Sequence, residues 1–357
     1  MKGNYIKLDS QKNLINVTSE RPKLNYGLSI LKVINSFLVI VAHNFHRSST
    51  KNRYILYITK NRLLHVPSFL IMSFYFMCKH LLSLDFKIFF KRLIRLLIPY
   101  ILWPIFFWKL NRYLNKNYNK KFPATFEVLK QQLLLANRYI FPLWYHFDLI
   151  IFTILFFIII FIFRKHSLFI LHILSIICYY IEYSEYNFNS FFIKNPYYNV
   201  TGIKSLHECF PFAVTGYTIG YYKVLDIINK HKIKTFVLSI LIYNLIADYF
   251  IFKRIKGELY YGANLNIQSI CLVFIFSLFP SDIATNNVIR KFLIFITNYT
   301  GGIYYLHVPL RMYLKDYSVN IKNGTFLGLI MIYIIIYIIC FVGMLIFGKT
   351  PLKYLFY

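Results

Sequence analysis

Two runs in this chain leave few folds open: "LIIFTILFFIIIFIF" at 149–163 and "LGLIMIYIIIYIICFVGMLIF" at 327–347. Neither contains a charge, and neither alternates apolar with polar residues. In hydrocarbon every backbone N–H and C=O must be satisfied within the structure, so a spanning segment is either a helix or part of a closed barrel. Unbroken apolar runs of about 18 residues or more read as spanning helices, because a barrel strand would alternate. The composition agrees, with 58% hydrophobic and 20% aromatic residues, more than a soluble domain of 357 residues carries. The sequence thus predicts an all-α, polytopic integral membrane protein.

About ten transmembrane helices are expected, at 27–45, 64–82, 93–111, 141–163, 167–184, 207–225, 234–252, 264–280, 290–312 and 325–347, packed around a central channel. Polar residues interrupt the second, sixth, eighth and ninth. An even number puts both termini on one side. The polar segment 1–26 reads as a short arm, 27–347 as the membrane domain and 348–357 as a short C-terminal tail. Segments 112–140 and 185–206 are the longer loops, opposite the arm. The first apolar run starts well inside the chain and has no small-residue cleavage site, so no removable signal peptide is expected. There is no internal repeat.

Lys and Arg number 41 against 13 Asp and Glu. In a soluble chain this excess would raise nucleic-acid binding. Here the basic residues sit mostly in short loops between apolar runs, where orientation signals and lipid-headgroup contacts belong. Membrane lipids, and no nucleic acid, are the partners this distribution implies. The arm (Lys2, Lys7, Lys12, Arg21, Lys23) and the turn Lys87–Arg95 favour cytoplasmic termini in a plasma or inner membrane, although Arg47, Lys51, Arg53, Lys120 and Lys121 lie opposite. Five cysteines fall in or beside apolar runs without metal-ligand spacing, so they read as buried inert thiols and no metal site is expected.

The first apolar segment, "LKVINSFLVIVAHNF" at 31–45, keeps two residues that hydrocarbon disfavours, Lys32 and His43. Eleven helical steps make about three turns, which puts both on one face about 16 Å apart. Asn35 and Ser36 broaden that face. A polar face on a spanning helix looks at protein or water, not at lipid. Snorkelling of Lys32 to one interface, with His43 at the other, is the competing reading.

Further along come "VPSFLIMSFYFMC", the basic turn "FKIFFKRLIRLLIPYILWP", "FPLWYHFDLIIF", "FPFAVTGYTIGYY" and "TGGIYYLHVPL". In this order and spacing the chain resembles the acyltransferase 3 family of integral membrane O-acyltransferases, over about residues 24 to 347. The matching positions are Lys32 and His43; Ser73 and Tyr75; Lys91, Arg92, Arg95, Pro99, Tyr100 and Trp103; and Tyr304, His307 and Pro309. Two positions depart from the family pattern. Lys32 stands where Arg is frequent, which loses the planar fork for bidentate contact. Phe74 stands where Gly usually follows the serine, which would crowd a close backbone approach.

The resemblance implies acetyl-CoA or another acyl-CoA as co-substrate, with no permanently bound cofactor, and a carbohydrate or lipid-linked glycan hydroxyl as acceptor. Transfer from a thioester to a hydroxyl needs a base, donors for the carbonyl oxyanion and a donor held in line. An imidazole suits the base near neutral pH, and His43 is the candidate. Lys32 would attract the phosphates or pantetheine of acyl-CoA, and Lys91, Arg92 and Arg95 form a second candidate phosphate site. His307 is a second catalytic candidate; its competing role is to bond the carbonyl that Pro309 frees. Direct transfer and an acyl-enzyme both remain open.

The other polar residues have structural readings. Asp148 fits an interface, Asp248 fits pairing with Lys253 or Arg254, and Glu208 beside His207 fits a helix start. Trp144 and His146 fit the aromatic belt. Gly216 and Gly220 have the spacing of close helix packing. No nucleophile elbow, Walker loop or zinc cluster occurs. Two rival functions stand beside the acyltransferase. A transporter or flippase of a glycan or lipid-linked sugar would show two corresponding halves, and a glycan polymerase would need a large far-side loop.

Overall fold

The structure, a computed structural model, describes residues 25–44, 65–115, 126–136, 143–188, 203–252, 262–279, 287–315, 317–323 and 325–356. Among these residues the regular structure is entirely helical. In chain order the helices are α1 Tyr26–Asn44, α2 His65–Leu82, α3 Phe86–Asn115, α4 Phe126–Leu135, α5 Trp144–Phe163, α6 Ser167–Phe188 and α7 Ile203–Tyr221. They continue as α8 Val224–Ile228, α9 Lys232–Phe252, α10 Ala263–Ser277, α11 Asn287–Asn298, α12 Thr300–Leu314, α13 Val319–Lys322 and α14 Phe326–Phe347, followed by a 3-10 turn Pro351–Leu355.

Four segments of the described chain are long and apolar enough to cross a membrane: Tyr26–His43, Phe86–Leu110, Trp144–Ser184 and Phe326–Phe347. The third is a pair, α5 and α6 joined by the 3-10 turn Arg164–His166. The expected ten spans are therefore not all matched by spanning helices. Fifteen residues make α10 about 22 Å long, short of a hydrocarbon core of about 30 Å. The ninth expected span breaks at Tyr299 into α11 and α12. The basic turn before the third span belongs to the helix itself: Asp85 accepts the Ile88 N–H at 3.0 Å and starts α3 there. At 30 residues α3 runs about 45 Å, longer than the bilayer core, so its basic first turns can lie at the headgroups.

A membrane-facing surface is legible on α14. Leu327, Met331, Ile334, Ile338, Phe341 and Leu345 are exposed along one side, while Leu329, Ile332, Ile336, Cys340 and Gly343 are buried along the other. Apolar residues on both faces of one helix mean that the outer face meets a second apolar medium. All five cysteines are free, and all but Cys178 are buried.

Helix α1 is the hub, packed against α2, α10, α11, α12 and α14. Its neighbour α2 packs most extensively on α7. That contact depends on the two glycines. A Cβ on Gly216 would strike the carbonyl oxygen of Ile71, and one on Gly220 would come within 2.6 Å of Cys78 Cβ. Gly216→Ala should cost about 1–3 kcal/mol through overpacking, read as a lower Tm of the purified protein in detergent. An unchanged Tm would mean that the two backbones do not touch there.

Within the expected loop 112–140, residues 126–135 form α4. The Tyr100 hydroxyl donates to the Gln132 and Leu133 carbonyls at 3.3 and 2.9 Å, a tertiary contact that holds the end of this short helix. Residues 1–24, the parts of that loop at 116–125 and 137–140, segment 189–202 and the pairing expected of Asp248 with Lys253 or Arg254 lie outside the described residues.

Candidate active site

A cavity of about 980 Å³ opens between α1, α2, α3, α5, α12 and the end of α14. Five cationic side chains line it, Lys32, Lys91, Arg92, Arg95 and Lys353, and no carboxylate does among the described residues. Four of these five are the sequence candidates for donor binding, and the fold brings them to one space.

Each cation is set by a different element. The Lys32 ammonium donates to the Thr297 carbonyl at 3.3 Å. This carbonyl lies in the last turn of α11, where carbonyls lose their helical partners and a cation is favoured. Lys32 therefore does not snorkel to an interface. It holds the break between α11 and α12 and faces the cavity. Arg92 is held at three points. Its Nε donates to Thr153 Oγ at 3.0 Å, a second nitrogen donates to Ser73 Oγ at 2.8 Å, and its guanidinium lies 5.6 Å from the Phe74 ring centre. The serine and phenylalanine of the second expected span thus serve to aim an arginine of α3, one residue before the third expected span. Phe74 does not crowd the cavity. It is fully buried against Phe156, ring centres 4.6 Å apart, and is absent from the cavity wall. Lys91 and Arg95 lie on exposed turns of α3 at the cavity margin.

The deeper wall is aromatic. Tyr145, His146, Tyr304 and Tyr305 line it. His146 is buried, with its ring 4.2 Å from that of Tyr305 and 5.1 Å from that of Tyr304. The belt position expected for His146 is overturned, because its ring faces the interior. Asp148, one turn into α5, is fully buried and accepts from Ser205 at 2.9 Å.

His43 and His307 come together, with ring centres 5.1 Å apart at a 45° tilt, but neither lines the cavity. Val39 is the last cavity residue of α1, and His43 lies one turn beyond it, about 6 Å along the axis. Tyr304 spans the gap, since it lines the cavity and its ring centre lies 6.2 Å from that of His307. His43 is exposed at the end of α1, whereas His307 is fully buried.

His307 Nδ1 lies 2.9 Å from the Ile303 carbonyl, which can only accept, so Nδ1 carries the proton. Nε2 then keeps its lone pair, and it is buried without a hydrogen-bond partner among the described residues. The carbonyl that Pro309 would free belongs to Tyr305, four residues back. The ring bonds Ile303 instead, so backbone repair at the proline does not explain this histidine. One turn further along α12, Arg311 donates to the His43 carbonyl at 3.0 Å and caps α1. Helix α12 thus holds the end of α1 twice.

Several wall residues were missed from the sequence. Lys353 and Tyr354 sit in a tail too short to show periodicity, and Tyr145 and Tyr305, like Thr153 behind Arg92, are indistinguishable there from core residues. A model of the acyltransferase 3 family, described as an acyltransferase domain, matches residues 25–349 and stops before the turn Pro351–Leu355. No curated protein and no solved structure matches the chain.

Proposed function

The chain belongs to the acyltransferase 3 family, and from that premise we propose that it moves an acyl group, acetyl by preference, from a cytoplasmic acyl-CoA to a hydroxyl of a glycan or lipid-linked sugar. One observation carries this reading above the others. Five cations and no described carboxylate surround a single cavity inside a membrane protein. So much like charge repels itself unless an anion occupies the space, and the phosphates of CoA are such an anion.

In this reading the nucleotide end of the donor stays among Lys32, Lys91, Arg92 and Arg95, while the pantetheine arm runs along Tyr145, His146 and Tyr304. The thioester then meets the histidine pair beyond Tyr304. His43, exposed at the end of α1, receives the acceptor hydroxyl and takes its proton as that oxygen attacks the thioester carbonyl. The tetrahedral intermediate collapses, the C–S bond breaks and CoA leaves as the thiolate or thiol. His307, with its proton fixed on Nδ1, offers Nε2 to the side of the site where the positive charge on His43 develops. CoA is too large and too highly charged to cross the bilayer, and this layout requires only its acyl end to pass. The remaining parts of the proposal are about ten spans around this passage and termini on the cytoplasmic side of a plasma or inner membrane.

The test is transfer of label from labelled acetyl-CoA to a glycan or lipid-linked sugar by the purified protein. Movement of the glycan across vesicles without acylation would make the chain a transporter instead. Within the same assay, Lys32→Ala should raise KM for acetyl-CoA about ten-fold or more, as expected for losing a charged hydrogen bond, and should change kcat less. An unchanged KM would remove Lys32 from the donor site.

A further inference from the structure

The last turn of the chain forms part of the cavity wall. Pro351–Leu355 packs against α3 and α14, and both Lys353 and Tyr354 line the cavity with Lys32, Lys91, Arg92 and Arg95. The turn is held in place from behind. Trp103 Nε1 donates to the Leu355 carbonyl at 3.3 Å, and the Trp103 ring meets Phe356 edge-on at 6.0 Å. Phe356 is buried and stacks on Phe347 with ring centres 5.9 Å apart and planes 5° from parallel. It also fills the space beside Gly343, where any Cβ would strike its ring. Anchoring on this scale fixes the direction in which residues 353 and 354 point.

Those two residues present a cation and an aromatic ring together, with Lys353 Nζ over the Tyr354 ring, 5.4 Å from its centre. This pair matches a nucleotide that carries phosphates next to a flat base: the ammonium meets phosphate oxygens and the ring offers a stacking face. We propose that the C-terminal turn is a nucleotide subsite of the donor site, with Lys353 binding a phosphate and Tyr354 stacking on the base. This rests on the reading that the donor is an acyl-CoA. It adds a residue pair outside the span the family accounts for, and it gives Trp103 the role of a positioning residue that acts through the turn.

Two measurements on the full-length purified protein test it. In the first, acetyl-CoA is compared with acetyl-pantetheine, a thioester donor without the nucleotide. Lys353→Ala should raise KM for acetyl-CoA about ten-fold with kcat nearly unchanged, leave KM for acetyl-pantetheine where it was, and be rescued by Lys353→Arg. Equal losses with both donors would mean that the turn only supports the fold and would overturn the subsite, as would an unchanged KM for acetyl-CoA. The second measurement needs no turnover: binding of adenosine 3′,5′-bisphosphate followed by calorimetry. The native protein should bind it, and Lys353→Ala and Tyr354→Leu should each bind several-fold more weakly. No binding by the native protein, or equal binding by all three, would overturn the proposal. Nucleotide binding that responds to Lys353 in a protein that never transfers label would sustain the subsite and refute the acyltransferase reading instead.

Discussion

His43→Ala is expected to lower the rate of acyl transfer by about 10²–10⁴-fold, the usual contribution of a positioned general base. The variant still inserts and folds, because the ring sits exposed at the end of α1 and the Arg311 bond goes to the backbone carbonyl, which alanine retains. His307→Ala is expected to lose a similar factor, with a difference that separates the roles. Its ring is fully buried and bonded to Ile303, so its removal also leaves a cavity, and the protein loses stability as well as activity. The double variant should be little worse than either single one if the two rings act as a unit, because effects within one catalytic unit do not add. Initial rates with labelled acetyl-CoA, taken beside Tm values, decide the matter. Retention by His43→Ala of more than about a tenth of the native rate would remove that imidazole from the chemistry.

The second large effect is at Arg92. Arg92→Ala should reduce kcat/KM for the donor by about 10²-fold or more, since truncating a partly buried charge with several hydrogen-bond partners costs at least 2–5 kcal/mol in comparable settings. Ser73, Thr153 and the face of Phe74 together define the guanidinium plane. A lysine can supply the charge but cannot reach both hydroxyls with a planar fork, so Arg92→Lys should recover only part of the loss. Ser73→Ala removes one of the two anchors and should raise the donor KM by a smaller factor while sparing kcat. Steady-state kinetics with varied acetyl-CoA read all three. Full activity of Arg92→Lys would show that charge alone suffices and that the anchoring serves the fold.

What the sequence made legible follows from what each interaction depends on. The shared face of Lys32 and Ser36 needed only helical geometry, and the cavity follows them to Val39, but it stops short of His43, and Asn35, expected on the same face, is buried and donates to Ser68. The gathering of Lys32 with Lys91, Arg92 and Arg95 was not legible: they read as two separate candidate phosphate sites, because no local rule states that α3 will face α1 across one cavity. The polar run "TNYTGG" inside "FITNYTGG" marked the ninth span as interrupted, but not that the helix would stop at Tyr299, because a lysine from another helix binds the end of α11 there. The interior place of His146 was misread for a related reason. An aromatic cluster at the start of a span looks the same whether it faces headgroups or other rings, and only Tyr304 and Tyr305 on α12 decide it. Phe74 shows the same limit in a single side chain, since residue size predicts crowding while the direction of the Cα–Cβ bond determines what is crowded.

A cavity walled by cations does not read the far end of its ligand. For a CoA donor, the carrier that has given up its acyl group bears the same phosphates as the carrier that still holds one, and the basic wall holds both. Fresh substrate must therefore wait for spent carrier to depart, so the hold that secures the donor also sets a ceiling on turnover. On the proposed acyl-CoA reading, that ceiling would be relieved only by contacts that distinguish the thioester from the free thiol, and the place for them is the aromatic end of the cavity by Tyr304.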